Sequence, residues 1–284
     1  MTRWWIVVLL VTALGCAGLR RPCAVPQLPR GAPFLWKAQR GDGPVVWLYG
    51  TIHDGGAIIP DAATRALDGA TRFVSELGDE RADPEVVRKL ARIERGQGQG
   101  IDQQLPMSDW YDLRDALRGV IREDDLRRAR PWFAMSLLSS RAAPRGPSMD
   151  DLLRRRARAH GLPVEALETW EAQITALDHV VAIADLQDTI HARDAMGCSL
   201  RQLDAVYDAG DVAAIEPLLV IPRTAETLLW ARNRAWLPTL EGYLGDGGAF
   251  VAVGLGHLLG EQGLVQLLVR AGYTVERITA EASR

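Results

Sequence analysis

Val45–His53 reads VVWLYGTIH and Phe250–His257 reads FVAVGLGH. Each is a short run of β-branched, aromatic and aliphatic residues that ends in G-x-x-H, Gly50 to His53 in the first and Gly254 to His257 in the second. Apolar runs of this length bounded by turn residues read as buried strands. Each is followed by a loop, a short helical stretch and another strand-like run. Asp61 can cap a helix over Ala62–Leu67 ahead of Arg72–Leu77 (RFVSEL), and a helix near Leu264–Arg270 precedes a strand at Thr274–Ile278. A β-GxxH-α-β unit therefore occurs twice. The fold expected is α/β, with a β-sheet core built from the two units and a large helical insertion between them.

Upstream of the first unit, Phe34–Ala38 and Val45–Tyr49 flank Gly41-Asp42-Gly43-Pro44, a turn sequence that predicts a hairpin. Downstream, the pattern is mainly helical from about 84 to 244, interrupted by Gly96–Gly100 and by Ala143–Pro147. Within that stretch Ser148-Met149-Asp150-Asp151 has the S-x-x-D form of a helix start, the helix should run to about His160, and Gly161 can end it. Pro163–Leu167 then reads as a short strand. Residues 34–280 are expected to form a single domain in which the helical insertion covers the sheet and shapes a substrate cleft, with Trp110, Trp132 and Trp170 in its core or, as the alternative, in the cleft walls.

The chain has 284 residues, 48% of them hydrophobic and 24% charged, which excludes a disordered polymer. Its net charge of −3 gives no electrostatic case for nucleic acid. Residues 1–17 carry one charge, Arg3, and an apolar run from Ile6 to Leu14 that is too short to span a bilayer and fits a signal peptide. Ala13-Leu14-Gly15-Cys16 resembles a bacterial lipobox with Cys16 as the lipidated residue; ordinary cleavage near Ala17 is the alternative. Residues 18–33, rich in proline, read as a tether. The protein is thus expected to be exported to a bacterial cell envelope, either attached to the membrane through an N-terminal lipid or periplasmic. Cys23 and Cys198 are then the two remaining cysteines, and in an exported chain they are expected to pair.

Ligands of open α/β sheets bind beyond the carboxyl ends of the strands. Four residues capable of chemistry fall there: His53 beyond the 45–49 strand, Glu76 at the end of the strand starting at 72, Glu168 at the end of 163–167, and His257 beyond 250–253. Two imidazoles and two carboxylates suit a divalent metal of borderline type, and equally suit acid–base catalysis without metal. Gly50 and Gly254 let the chain leave each strand without a Cβ in the way. Arg232 and Asn233 lie beside an apolar helical stripe of Leu229, Trp236 and Leu240, where a cation needs a partner such as Glu76, Glu168 or a substrate oxygen.

Taken together, LYGTIHDGG, FVSEL, MDDLLRRRARAHGLPVEALETWEAQ, LLWARNRAWLPTL and FVAVGLGHLLGEQGLVQLLVRAGYTVERI resemble the TraB/GumN family, related to the Tiki proteins, over about residues 34–278. The resemblance implies an α/β fold whose paired GxxH motifs meet at one active centre. In the Tiki branch it implies a metal-dependent protease; related branches include esterase-like hydrolases and haem-binding lipoproteins. It falls on Gly50, His53, Glu76, Glu168, Arg232, Asn233, Gly254 and His257. The expectation is a hydrolase of peptide or small-molecule substrates. His53 and His257, with Glu76 or Glu168, would hold Mn²⁺, Co²⁺ or Zn²⁺, the other carboxylate would act as base, and Arg232 would stabilise the oxyanion, with Asn233 beside it. A metal-independent hydrolase and a haem- or ligand-binding protein are the competing expectations.

Overall fold

The structure is a computed structural model that describes residues 23–52, 58–78, 83–94, 96 and 98–279. The chain divides into two compact units. Of the described residues, those within 25–78, 145–169 and 202–279 form one unit, which carries the sheet; those within 23–24, 83–144 and 170–201 form the other, which is helical. The segment expected as one insertion is therefore shared out, because 145–169 and 202–244 pack with the sheet.

The sheet strands are β1 (Leu35–Gln39), β2 (Val46–Thr51), β3 (Arg72–Ser75), β4 (Val164–Ala166), β5 (Ala249–Gly254) and β6 (Thr274–Arg277). Their order is β4-β3-β5-β2-β1-β6. The four strands β4, β3, β5 and β2 are parallel, and β1 is antiparallel to both β2 and β6. The predicted hairpin is the β1–β2 pair, with Leu35 opposite Tyr49. The two GxxH strands lie side by side, with Gly50 opposite Val253 and Thr51 opposite Gly254. Val46, Leu48, Tyr49 and all of 249–253 are buried, as expected for parallel strands covered on both faces. Tyr49 and Phe73 flank Phe250, with ring centroids 5.9 and 6.3 Å away. The outer strands, β4 and β6, are short and partly exposed, which limits the unpaired edge each presents.

The helix Asp61–Asp68 joins β2 to β3. The helix Met149–Ala159 begins where the sequence places it, with the Ser148 hydroxyl accepting from the Asp151 N–H at 3.2 Å. It ends at Gly161, whose φ of +69° few other residues adopt readily, while the Leu162 N–H reaches back to the Ala157 carbonyl. The two helices are joined by a fork of hydrogen bonds from Arg156 to Asp68, at 2.6 Å each. Arg154 is largely covered and donates to the Leu77 carbonyl at 3.1 Å. Pro238 lies within the helix Ala231–Asp246.

In the helical unit Trp110 and Trp132 are core residues, as expected, and Trp170 is half-buried. Cys23 and Cys198 form a disulfide with Cα atoms 5.6 Å apart. Of the tether, Gly31 donates its N–H to Asp208 O, and Arg277 holds the carbonyls of Ala32 and Pro33, so its end is docked within the sheet unit. Among the described residues no helix is long and apolar enough to cross a membrane. The leader and Cys16 lie outside the described residues.

Candidate active site

Parallel pairing brings the first pair of side chains together. Beyond the last paired residues of β3 and β4, the ladder continues for two more bonds, Leu167 N–H to Ser75 O and Glu168 N–H to Glu76 O, both at 3.0 Å. Glu76 and Glu168 thus leave neighbouring strands at the same end of the sheet. Glu76 turns towards β5, where one of its oxygens accepts from the Gly254 N–H at 2.7 Å. Both carboxylate side chains are nearly covered, 11% exposed for Glu76 and 6% for Glu168.

The helix Ala231–Asp246 supplies the cation. Arg232 donates from Nε and Nη2 to the two oxygens of Glu168 at 3.0 and 2.5 Å, and from Nη2 to Glu76 Oε2 at 2.7 Å. Its Nη1 donates to the Leu228 carbonyl at 2.6 Å and to His257 Nε2 at 3.1 Å. A guanidinium has five N–H bonds, and each has an acceptor here. Just upstream the helix makes a π turn over Glu226–Trp230, in which the Ala231 N–H reaches back five residues to Glu226 O. Burial works against the charge of Arg232, but Glu76 and the bond to Glu168 outweigh it and raise its pKa above the ordinary value.

His257 lies on the short helical turn that follows β5 and is 3% exposed. Its tautomer follows from its neighbours. The Asn233 amide nitrogen donates to the His257 and Gln262 carbonyls, both at 3.0 Å, so its oxygen is the atom that faces His257 Nδ1 at 2.6 Å. Nδ1 must then carry a hydrogen. Nε2 faces an arginine, which can only donate, so Nε2 is the acceptor. Two independent neighbours therefore specify a neutral imidazole protonated at Nδ1. The Trp236 ring packs on it with centroids 4.4 Å apart and also lies under Arg232 at 4.9 Å.

Glu76, Glu168, Arg232, Asn233, Gly254 and His257 are thus brought together as the sequence reading placed them. His53 lies outside the described residues, although β2 ends beside β5 at the same edge. Gly50 lies inside β2, and the atoms that a Cβ would strike belong to Leu255. Sequence reading missed the support beneath the strand end. The Tyr207 hydroxyl donates to Gly50 O at 2.6 Å and lies 3.1 Å from that of Tyr49, and burial pushes both phenols well up from their ordinary pKa. It also missed Asp150, read only as a helix start, which accepts from the Thr51 hydroxyl at 2.9 Å. Neither has a local motif, since each pairing spans 99 residues or more.

The donor chemistry of Glu76, Glu168 and His257 suits a divalent metal, but their orientation does not. Both oxygens of Glu168, one of Glu76 and Nε2 of His257 point at Arg232, and His257 Nδ1 carries a hydrogen. Among the described residues no group of three His, Cys, Asp or Glu side chains is arranged to hold a metal ion.

No curated protein and no solved structure matches the chain. A sequence model described as the TraB/PrgY/gumN family matches residues 34–277, from the start of β1 to the end of β6 and across every strand-end residue above, so the chain belongs to that family.

Proposed function

We propose that the protein is an exported hydrolase that cleaves a peptide bond, or a related acyl bond, at the strand-end cluster. The observation that carries this is a neutral histidine with a fixed tautomer, its acceptor nitrogen 3.1 Å from a buried guanidinium donor. Redirecting one Arg232 Nη1–H from His257 to a substrate carbonyl does two things at once. It places a cationic donor on the oxygen where negative charge develops, and it frees Nε2 to accept a proton. Water attacks the carbonyl carbon, its proton passes to Nε2, and the same proton is later returned to the leaving group as the bond to it breaks. Asn233 holds Nδ1–H throughout, and Glu76, 3.7 Å from Nε2, stabilises the imidazolium. Glu168 and the Leu228 carbonyl keep the guanidinium in place. Export is supported by the leader and by the paired Cys23 and Cys198.

A metal-dependent peptidase is the second reading, favoured by the excess of carboxylate over guanidinium charge and by the resemblance to the Tiki branch. As arranged, the described donors do not fit the ion, so no step is drawn through it. The haem-binding reading needs an imidazole nitrogen free for iron, and both nitrogens of His257 are engaged.

A peptide-library digest with mature protein tests the proposal. Cleavage is expected to survive prolonged chelation and to fall by about 10²-fold or more in His257→Ala. Loss of activity on chelation with rescue by Mn²⁺, Co²⁺ or Zn²⁺ would establish the second reading instead. Full activity in His257→Ala would remove the cluster from the chemistry.

A further inference from the structure

We infer that Arg232 is the built-in cation of this centre, occupying the position that a divalent metal would take between Glu76, Glu168 and His257, so that the guanidinium excludes the ion. This rests on the reading of the cluster as the working centre. Three observations carry it. Arg232 meets both carboxylates and the imidazole at 2.5 to 3.1 Å, and its five N–H bonds have five acceptors, so the resting arrangement is internally satisfied. The guanidinium lies over the Trp236 ring, donates to the Leu228 carbonyl within the π turn, and belongs to a side chain that is 14% exposed. Finally, the groups that converge on it are of metal-ligand type: two carboxylates and an imidazole from three different strand ends share this one cation, with His257 Nε2 3.7 Å from Glu76.

A metal and Arg232 therefore compete for the same lone pairs, and the site should gain metal affinity when the cation is lost. That is opposite to what is expected if Arg232 only binds substrate beside a metal. Mn²⁺ titrations followed by electron paramagnetic resonance, with no substrate present, test this in mature wild-type protein, Arg232→Gln and the double variant Arg232→Gln/Glu168→Gln. Wild type is expected to bind Mn²⁺ with Kd weaker than about 100 μM, Arg232→Gln at least about tenfold more tightly, and the double variant no better than wild type. Wild-type binding as tight as that of Arg232→Gln overturns the inference, and so does an Arg232→Gln protein that is folded by circular dichroism but gains nothing. Should Arg232→Gln not fold, the wild-type titration decides: Kd weaker than about 100 μM supports the inference and tighter binding overturns it. Failure here is distinct from failure of the hydrolase reading. A chelator-sensitive hydrolase whose wild type binds Mn²⁺ tightly loses the inference and keeps the function, whereas the expected titrations without any cleavage lose the function and keep the inference.

Discussion

At the scale of single residues, the site is built from side chains that specify one another. Asn233 fixes the tautomer of His257, that tautomer makes Nε2 an acceptor, and the fifth N–H of Arg232 donates to it. Glycine acts here through contact more than through backbone freedom. A Cβ on Gly50 would lie 2.5 Å from Leu255 Cδ1 and 3.2 Å from Leu255 Cα, because parallel pairing presses β2 against the chain that leaves β5. Gly50→Ala is therefore expected to destabilise the protein by about 1–3 kcal/mol, measured by urea unfolding, and Leu255→Ala in the same chain should recover part of the loss. Equal stability of Gly50→Ala and wild type would mean that the strands are not in this register.

Among the elements, the helices of the helical unit are tied by a charged contact that sequence reading passed over. His191 Nε2 lies 3.1 Å from Asp109, which also accepts from Gln187 at 2.7 Å. The contact joins the helix Met107–Ala116 to the helix Ile183–Ala209. The bond from His191 holds the Asp109 carboxyl below its ordinary pKa, against the effect of burial and with help from Gln187 and Ser108. A carboxylate depressed in the fold contributes fully above its unfolded pKa of about 4 and loses its contribution as pH falls through the folded value. The stability gap between wild type and Asp109→Asn should thus be constant from neutral pH down to about 5 and narrow below about 4. Urea midpoints across that range check this; a gap that stays constant at pH 3 would sink it.

For the molecule as a whole, the disulfide and the strand order matter more than any local propensity. Cys23 and Cys198 are 175 residues apart, so their bond closes a long loop of the unfolded chain. Cys198→Ser is expected to cost roughly 2–4 kcal/mol and to lower the thermal midpoint of an oxidised sample, while leaving the strand-end cluster, which lies in the sheet unit, in place. Calorimetry of wild type with and without reductant reads the same quantity, and an unchanged midpoint would show that the staple adds nothing.

By itself the sequence determined the alternation of strand and helix, the ends of the helix Met149–Ala159 and the placing of Glu76, Glu168 and His257 beyond strand ends, because these are set by periodicity, caps and turns within a few residues. The same local signals identified Arg232 as a cation in need of a partner. Only the tertiary structure decided which partner, and that it takes two carboxylates and the imidazole at once. The reason is physical: β3 and β4 are separated by 88 residues and β4 and β5 by 82, and no local rule says that they lie as β4-β3-β5. The same holds for the division of the helical stretch between two units and for the orientation of every lone pair in the site. Those depend on which groups are brought within about 3 Å once the sheet is assembled, where hydrogen-bond geometry leaves one arrangement that satisfies all of them.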